Sequence, residues 1–133
     1  MILSQLTAHH VGCLTENIGQ SAEQYKTLGF KNVSEVYSIA DQKVKVCFIE
    51  IRDDFFLELV ECSPEQKGLK KILNSGNPYY HVGYKVSDFE KAIAELQQHD
   101  YRLINRFNSE AFGGKQCAFL YSPEMHLIEL IEA

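Results

Sequence analysis

The tripeptide His-Val-Gly occurs twice in this chain of 133 residues, at residues 10–12 and 81–83. Shifting the sequence by 71 residues superimposes the two copies, and it also aligns pairs that were not used to choose the shift, such as Phe48 with Phe119. The same shift places Leu-Glu-Leu-Val-Glu, at 57–61, on Ile-Glu-Leu-Ile-Glu, at 128–132. Self-similarity at a fixed period is a fold-level signal, and with only two copies it predicts a domain of two similar modules rather than a solenoid.

Each module is predicted to contain one strand, one helix and then three strands. We expect one α+β domain over residues 1–133, with module one at about 5–62, a connector at 63–78 and module two at 79–133. Apolar residues recur at spacings of three and four in the helical segments and continuously or alternately in the strands.

The helix of module two has a recognisable start signal in the sequence. Ser87 is a favoured N-cap residue, and Glu90 follows three positions later. This spacing is typical of a capping box, so we expect Ser87 to cap the helix.

Composition and charge argue against several kinds of partner. The net charge is −5, which does not suit a surface that wraps a phosphate backbone, so nucleic acid is not an expected partner. No segment approaches the roughly 18 consecutive apolar residues of a membrane helix. The first ten residues lack the basic start and long apolar run of a secretory signal, and we expect a cytoplasmic protein that binds no membrane.

Four cysteines lie at positions 13, 47, 62 and 117, without a C-x-x-C pair. We expect Cys13, Cys47, Cys62 and Cys117 to be reduced thiols in or near the core, as is usual in the cytosol. A disulfide pair is the alternative.

Two glutamates stand within otherwise apolar strands. Glu58 lies in Phe-Phe-Leu-Glu-Leu-Val and Glu129 in His-Leu-Ile-Glu-Leu-Ile. Strands that are apolar on both sides are usually covered on both sides, and a buried carboxylate there costs several kcal/mol unless it is paired or bound to a metal. The alternative is that these faces are open to water and the glutamates are solvated.

A metal site follows from the matching register of four residues. The distance from histidine to glutamate is the same in both modules, 58 − 10 = 48 and 129 − 81 = 48. A single histidine in an apolar strand is usually a hydrogen-bonded core residue, but strands related by two-fold symmetry can bring His10, Glu58, His81 and Glu129 to one point. Two imidazoles and two carboxylates suit a divalent transition metal, and an octahedral ion would keep two positions for water or substrate.

Four long motifs in order resemble the vicinal oxygen chelate superfamily, also known as the glyoxalase/bleomycin resistance/dioxygenase superfamily. They are HHVGCLTENIGQSAEQYKTLGF, KVCFIEI with LELVE, YYHVGYKVSDFEKAIAEL, and FGGKQCAFLYSPEMHLIELIE. They are most similar to the epimerase-like branch, which includes methylmalonyl-CoA epimerase. The resemblance implies paired βαβββ modules whose eight strands curl into a cup around a metal.

The resemblance also implies roles for individual residues. Its metal ligands fall on His10, Glu58, His81 and Glu129, the set already found from spacing. It implies that Glu129 can leave the metal and act as an acid or base. The branch carries a catalytic acid before the third strand, and Asp-Gln-Lys-Val puts Asp41 in that place. A plain turn residue is the alternative for Asp41.

The implied activity is that of a divalent-metal-dependent epimerase or isomerase. It would remove a proton next to the carbonyl of an acyl thioester carried on CoA or a carrier protein, with Co, Mn, Ni, Zn or Fe as the cofactor. Alternatives in the superfamily are a lactoylglutathione lyase of the glyoxalase I type, a non-enzymatic small-molecule-binding or resistance protein, and a ring-cleaving iron dioxygenase. A homodimer is expected by analogy alone.

Overall fold

The computed structural model describes residues 6–133, and these contain eight strands and three α-helices. Residue 5, where module one was predicted to begin, lies outside the described residues. In chain order the elements are β1 (Leu6–Thr15), α1 (Ile18–Thr27), β2 (Tyr37–Ile39), β3 (Val44–Arg52), β4 (Phe55–Cys62), α2 (Lys67–Asn74), β5 (Tyr79–Val86), α3 (Phe89–Gln98), β6 (Arg102–Ser109), β7 (Lys115–Tyr121) and β8 (Leu127–Glu132).

The chain divides into two compact units, which we call the first unit and the second unit. The first unit is His10–Tyr80, and the second unit is His81–Ala133 together with residues 6–9. Each unit contains the order of strand, helix and three strands that the sequence repeat predicts.

Strands pair in the same way within each unit. In the first unit the order is β2-β3-β4-β1, with β1 parallel to β4 and β3 antiparallel to both β2 and β4. In the second unit the order is β5-β8-β7-β6, with β5 parallel to β8 and β7 antiparallel to both β8 and β6. A parallel pair needs a crossover connection, and the helix that follows β1 or β5 begins this connection.

One helix covers one face of the strands in each unit. In the first unit Ile18 and Ala22 of α1 pack against Cys47, Ile49 and Leu59. Each large apolar side chain buried in this way contributes about 1.5–3 kcal/mol to stability. Successive residues of a strand point to opposite faces. Glu58, which precedes Leu59 on β4, therefore points away from α1.

The second unit repeats this arrangement. Its core cluster contains Phe89, Ala92, Ile93 and Leu96 of α3 together with Leu130 of β8. Glu129, which precedes Leu130 on β8, therefore points away from α3. In both units the glutamate thus lies on the strand face opposite the helix.

The predicted N-cap of α3 is wrong by one residue. Asp88, not Ser87, is the N-cap, and its side chain accepts a hydrogen bond of 3.2 Å from the backbone N–H of Lys91. Glu90 is then the second residue of the helix, one short of the capping-box position. Its Oε2 instead accepts a hydrogen bond of 2.6 Å from Nη1 of Arg106 on β6.

The cysteines are free, as predicted. Cys47 and Cys117 are buried, and Cys13 and Cys62 are half-buried. None of the helices within residues 6–133 is long and apolar enough to cross a membrane.

The contact between Glu90 and Arg106 generates a test of the packing of α3 on β6. The hydrogen bond from Arg106 lowers the pKa of Glu90 below its ordinary value. This bond therefore adds stability above the pKa of Glu90 in the unfolded chain, and that contribution disappears as the pH falls through the folded-state pKa. We expect Arg106→Gln to raise the pKa of Glu90, measured by NMR titration of its side chain, with only a small loss of stability because both groups are exposed.

The control for this test is Lys91→Gln, which removes an exposed cation from the same helix. It should leave the pKa of Glu90 much closer to that of the wild type. An equal pKa change in both variants would mean that general charge, and not the hydrogen bond, controls Glu90.

Candidate metal centre

The first unit buries one imidazole beside one carboxylate. The parallel register pairs His10 with Phe56 and Gly12 with Glu58. His10 is 0% exposed and Glu58 is 5% exposed, so both side chains are buried. The distance between Nε2 of His10 and Oε1 of Glu58 is 3.5 Å.

The second unit repeats this pair. Gly83 on β5 is in register with Glu129 on β8. His81 is 1% exposed and Glu129 is 4% exposed, and Nε2 of His81 lies 3.2 Å from Oε1 of Glu129. Both glutamates are therefore buried, and the alternative of a water-exposed strand face is wrong.

The repeated His-Val-Gly motif now has a structural explanation. Gly12 lies on the same strand face as His10, two residues along, and directly beside Glu58. A side chain at this position would project onto the face that carries the imidazole and the carboxylate. Gly83 has the same relation to His81 and Glu129, so each glycine leaves room beside an imidazole and a carboxylate.

The described residues contain a buried cluster of histidine and glutamate that could hold a metal ion. It consists of His10, Glu58, His81 and Glu129, which each offer one ligand atom, and these atoms lie within 4.8 Å of one another. These are the four ligands that the sequence predicts, and their role as ligands stays a prediction.

The donor set fits a divalent cation. Two imidazole nitrogens and two carboxylate oxygens are typical ligands of Zn, Co, Ni, Mn or Fe, and the two negative charges would balance a doubly charged ion. Ligand atoms that lie about 2.1 Å from one ion at right angles to each other are about 3 Å apart. The Nε2–Oε1 distances of 3.5 and 3.2 Å are close to this value.

The thiol of Cys13, on the strand that carries His10, does not compete as a candidate metal ligand. Burial, and then the negative charge of Glu58, raise the pKa of Cys13 above its ordinary value. A protonated thiol is a poor metal ligand, since metals bind the thiolate. Cys13 is also outside the cluster.

Asp41 occupies a turn and is not a member of the buried cluster. It is exposed and lies in the 3₁₀ turn Ala40–Gln42, which ends at Lys43 in the left-handed conformation with φ 55°. The predicted turn is confirmed, whereas the catalytic role of Asp41 stays a prediction.

Sequence reasoning missed a second exposed carboxylate in the corresponding turn of the other unit. Glu110 lies in the 3₁₀ turn Glu110–Phe112, just before β7. The shift of 71 residues aligns Asp41 with Phe112, so the repeat alone could not have indicated Glu110. A comparison of the loops before the third strand of each module would have found it.

Comparison with known proteins agrees with the resemblance seen in the motifs. The sequence model of the Glyoxalase/Bleomycin resistance protein/Dioxygenase superfamily matches residues 9–121. The chain is 28% identical over 130 residues to the mitochondrial methylmalonyl-CoA epimerase of Dictyostelium discoideum, and the match covers 93% of this chain and 76% of that protein.

Solved structures show the same fold. A hypothetical protein from Bacillus halodurans C-125 matches with a TM-score of 0.82 and 27% identity, over 96% of this chain and 94% of that chain. A methylmalonyl-CoA epimerase in complex with methylmalonyl-CoA and NH4+ matches with a TM-score of 0.82 and 21% identity, over 97% of this chain and 95% of that chain. The predicted fold class, an α+β fold of paired βαβββ modules with eight strands, is confirmed.

The glycines beside the ligands generate a prediction that separates metal binding from folding. We expect Gly12→Ala to weaken binding of Co²⁺ or Zn²⁺, measured by competition with a chromophoric chelator, because its methyl group would project beside Glu58. The melting temperature of the metal-free protein should change little. Gly12 is not among the glycines with positive φ, so the backbone at this position accepts alanine.

Gly19→Ala is the matched control. A Cβ at Gly19 in α1 would meet Oδ1 of Asn17 at 3.5 Å, an ordinary contact, and this position is remote from the ligand face. Metal affinity should be unchanged in this variant. Equal affinity in Gly12→Ala and the wild type would show that the space beside Glu58 is not needed.

Proposed function

The chain belongs to the Glyoxalase/Bleomycin resistance protein/Dioxygenase superfamily and is an enzyme of that superfamily, and on this premise we propose that it is a divalent-metal-dependent epimerase or isomerase. It would remove and return a proton next to the carbonyl of an acyl thioester. The observation that carries this proposal is the buried cluster of two histidines and two glutamates. The epimerase from Dictyostelium discoideum and the solved epimerase with methylmalonyl-CoA support the reaction class and the substrate class.

His10, Glu58, His81 and Glu129 would hold the cation. When bound, a divalent ion supplies Lewis-acid stabilisation of the negative charge that develops on the substrate oxygen as the α-proton leaves. The imidazoles would bind as neutral ligands through Nε2, and the two carboxylates would balance the charge of the ion. Burial of all four side chains keeps bulk water away from them, which strengthens their electrostatic interactions.

Two carboxylates are candidates for moving the proton. Epimerisation requires a base that takes the proton from one face of the α-carbon and an acid that returns a proton to the other face. We propose Glu129 for one of these steps and Asp41 for the other. Glu129 is buried beside His81, whereas Asp41 is exposed in its turn, so the two groups differ in environment.

The substrate and surroundings of the enzyme belong to the same proposal. The acyl group would be carried on CoA or on a carrier protein, and the protein would be a cytoplasmic homodimer that binds neither nucleic acid nor membranes. Four free cysteines are compatible with a reducing compartment. The identity of the metal is open among Co, Mn, Ni, Zn and Fe because histidine and carboxylate ligands accept each of them.

The first test of this proposal is metal-dependent stabilisation. A ligand at about 100 times its Kd stabilises the folded state by about 2.7 kcal/mol, so adding Co²⁺ or Zn²⁺ should raise the melting temperature of the metal-free protein by several degrees. His81→Ala should lose most of this shift. His99→Ala, at the C-terminal end of α3, is the control and should retain it.

The second test is turnover. We expect the metal-loaded protein to exchange the α-proton of methylmalonyl-CoA or another acyl-CoA for deuterium in D₂O, measured by mass spectrometry. Glu129→Gln should lower the rate by roughly 10²–10⁴-fold, the usual contribution of a general acid or base. Metal content measured on the same sample shows whether the loss comes from the proton step or from weaker metal binding.

Asp41→Asn and Glu110→Gln form a matched pair, because both remove an exposed carboxylate from a 3₁₀ turn that precedes the third strand of its unit. The proposal requires a large loss of rate in Asp41→Asn with metal content unchanged. If Glu110→Gln alone has this effect, the acid or base is Glu110 and the assignment of Asp41 is wrong. Turnover of a glutathione hemithioacetal, without exchange on any acyl thioester, would replace the epimerase proposal by a glyoxalase I-type lyase.

A further inference from the structure

We infer that Phe48 and Phe119 are positioning residues, each of which fixes the orientation of one imidazole of the proposed metal site. This inference rests on the proposed function, since it assigns a role toward the metal to residues that do not bind it. It follows from a contact between a phenylalanine ring and an imidazole that is found in both units.

In the first unit, Phe48 and His10 lie on the two strands that flank β4. Phe48 on β3 is in register with Glu58 on β4, and β1 pairs with β4 on its other side. The two rings meet above β4, with their centroids 5.8 Å apart and their planes at 71°. Phe48 therefore contacts the imidazole and also borders the carboxylate of the same pair.

In the second unit, Phe119 has the corresponding position. It is in register with Glu129, and its ring lies 5.1 Å from that of His81 with an interplanar angle of 80°. The shift of 71 residues that superimposes the histidines and the glutamates also superimposes Phe48 on Phe119. Each unit therefore repeats the same four residue types at matching positions: histidine, glycine, glutamate and phenylalanine.

The contact matters because an imidazole must present one nitrogen to the ion. A histidine side chain has two rotatable bonds, and a ring packed nearly perpendicular to the imidazole limits rotation about both of them. Groups that orient a metal-binding histidine affect metal affinity although they do not touch the metal. An imidazole that is already oriented loses less conformational freedom when the ion binds.

Both phenylalanines are held by a further aromatic ring. Phe119 stacks on Phe107, with centroids 5.4 Å apart and planes at 20°. Phe48 packs against Phe56 at 6.0 Å and 75°. The orienting rings are themselves buried, with 7% of Phe48 and 6% of Phe119 exposed, so neither ring can easily move away from its histidine.

The competing interpretation is that these rings only fill the core. Phe89 of α3 provides the comparison, because it is a phenylalanine of the same unit that is 5% exposed and belongs to the core cluster between the helix and the strands. Replacing Phe89 with leucine removes a buried aromatic ring on the side of the strands opposite His81 and Glu129. A purely structural role predicts the same effect for Phe89 and Phe119.

The experiment measures Co²⁺ binding in F48L, F119L and F89L by competition with a chelator and by the visible absorption of the bound ion. Metal-free melting temperatures report stability separately. We expect roughly tenfold weaker Co²⁺ binding in F48L and F119L, with a changed absorption band, as for other residues that orient metal ligands. F89L should lower the melting temperature but keep the affinity and the spectrum of the wild type.

The outcomes separate this inference from the proposed function. Wild-type affinity and an unchanged spectrum in F48L and F119L would overturn the inference and leave the metal site intact. Equal weakening in F89L, or loss of folding in both F48L and F119L, would reduce the phenylalanines to core packing and overturn it as well. A wild-type protein that binds no Co²⁺ or Zn²⁺ would remove the proposed metal function itself.

Discussion

Burial of a carboxylate is the constraint on which the rest of this structure depends. An ionised glutamate in the interior costs several kcal/mol unless opposite charge or hydrogen bonds balance it. Glu58 and Glu129 are both buried, and each lies within 3.5 Å of an imidazole nitrogen. A neutral imidazole offers only partial compensation, whereas a divalent cation balances both carboxylates and uses the imidazoles as ligands. This balance of charge supports the proposal that the four side chains bind a metal ion.

The strand pairing explains how a short sequence delivers this arrangement twice. The helical crossover makes β1 parallel to β4 and β5 parallel to β8, and the register then places a glycine beside each glutamate. Histidine, two residues before the glycine, falls on the same face, while the intervening valine points to the opposite face. Each residue of His-Val-Gly thus has a defined place in the strand. A change of the strand register by one residue would turn the histidine toward the helix.

The sequence indicated His10, Glu58, His81 and Glu129 as a buried cluster because the burial of such residues is costly and their spacing is repeated, and their role as ligands stays a prediction. The fold class followed from the same repeat and from the family motifs. The helix start was harder: Ser87 and Asp88 are both good caps, and only the geometry of the first turn shows that Asp88 accepts the hydrogen bond from Lys91. The role of Phe48 and Phe119 was also invisible, since a repeated phenylalanine in a strand indicates a core position and does not show which ring it contacts.

The duplication also limits what the repeated residues can explain. A reaction that takes a proton from one face of a carbon and returns it to the other needs two acid–base groups, and the repeat supplies matching ligands but not matching turns. Asp41 aligns with Phe112, and the carboxylate of the second turn, Glu110, is two positions earlier. The repeat can therefore account for the proposed metal ligands, and for Glu129 as one of the two proposed acid–base groups. The second acid–base group must come from a position at which the units differ, such as these turns.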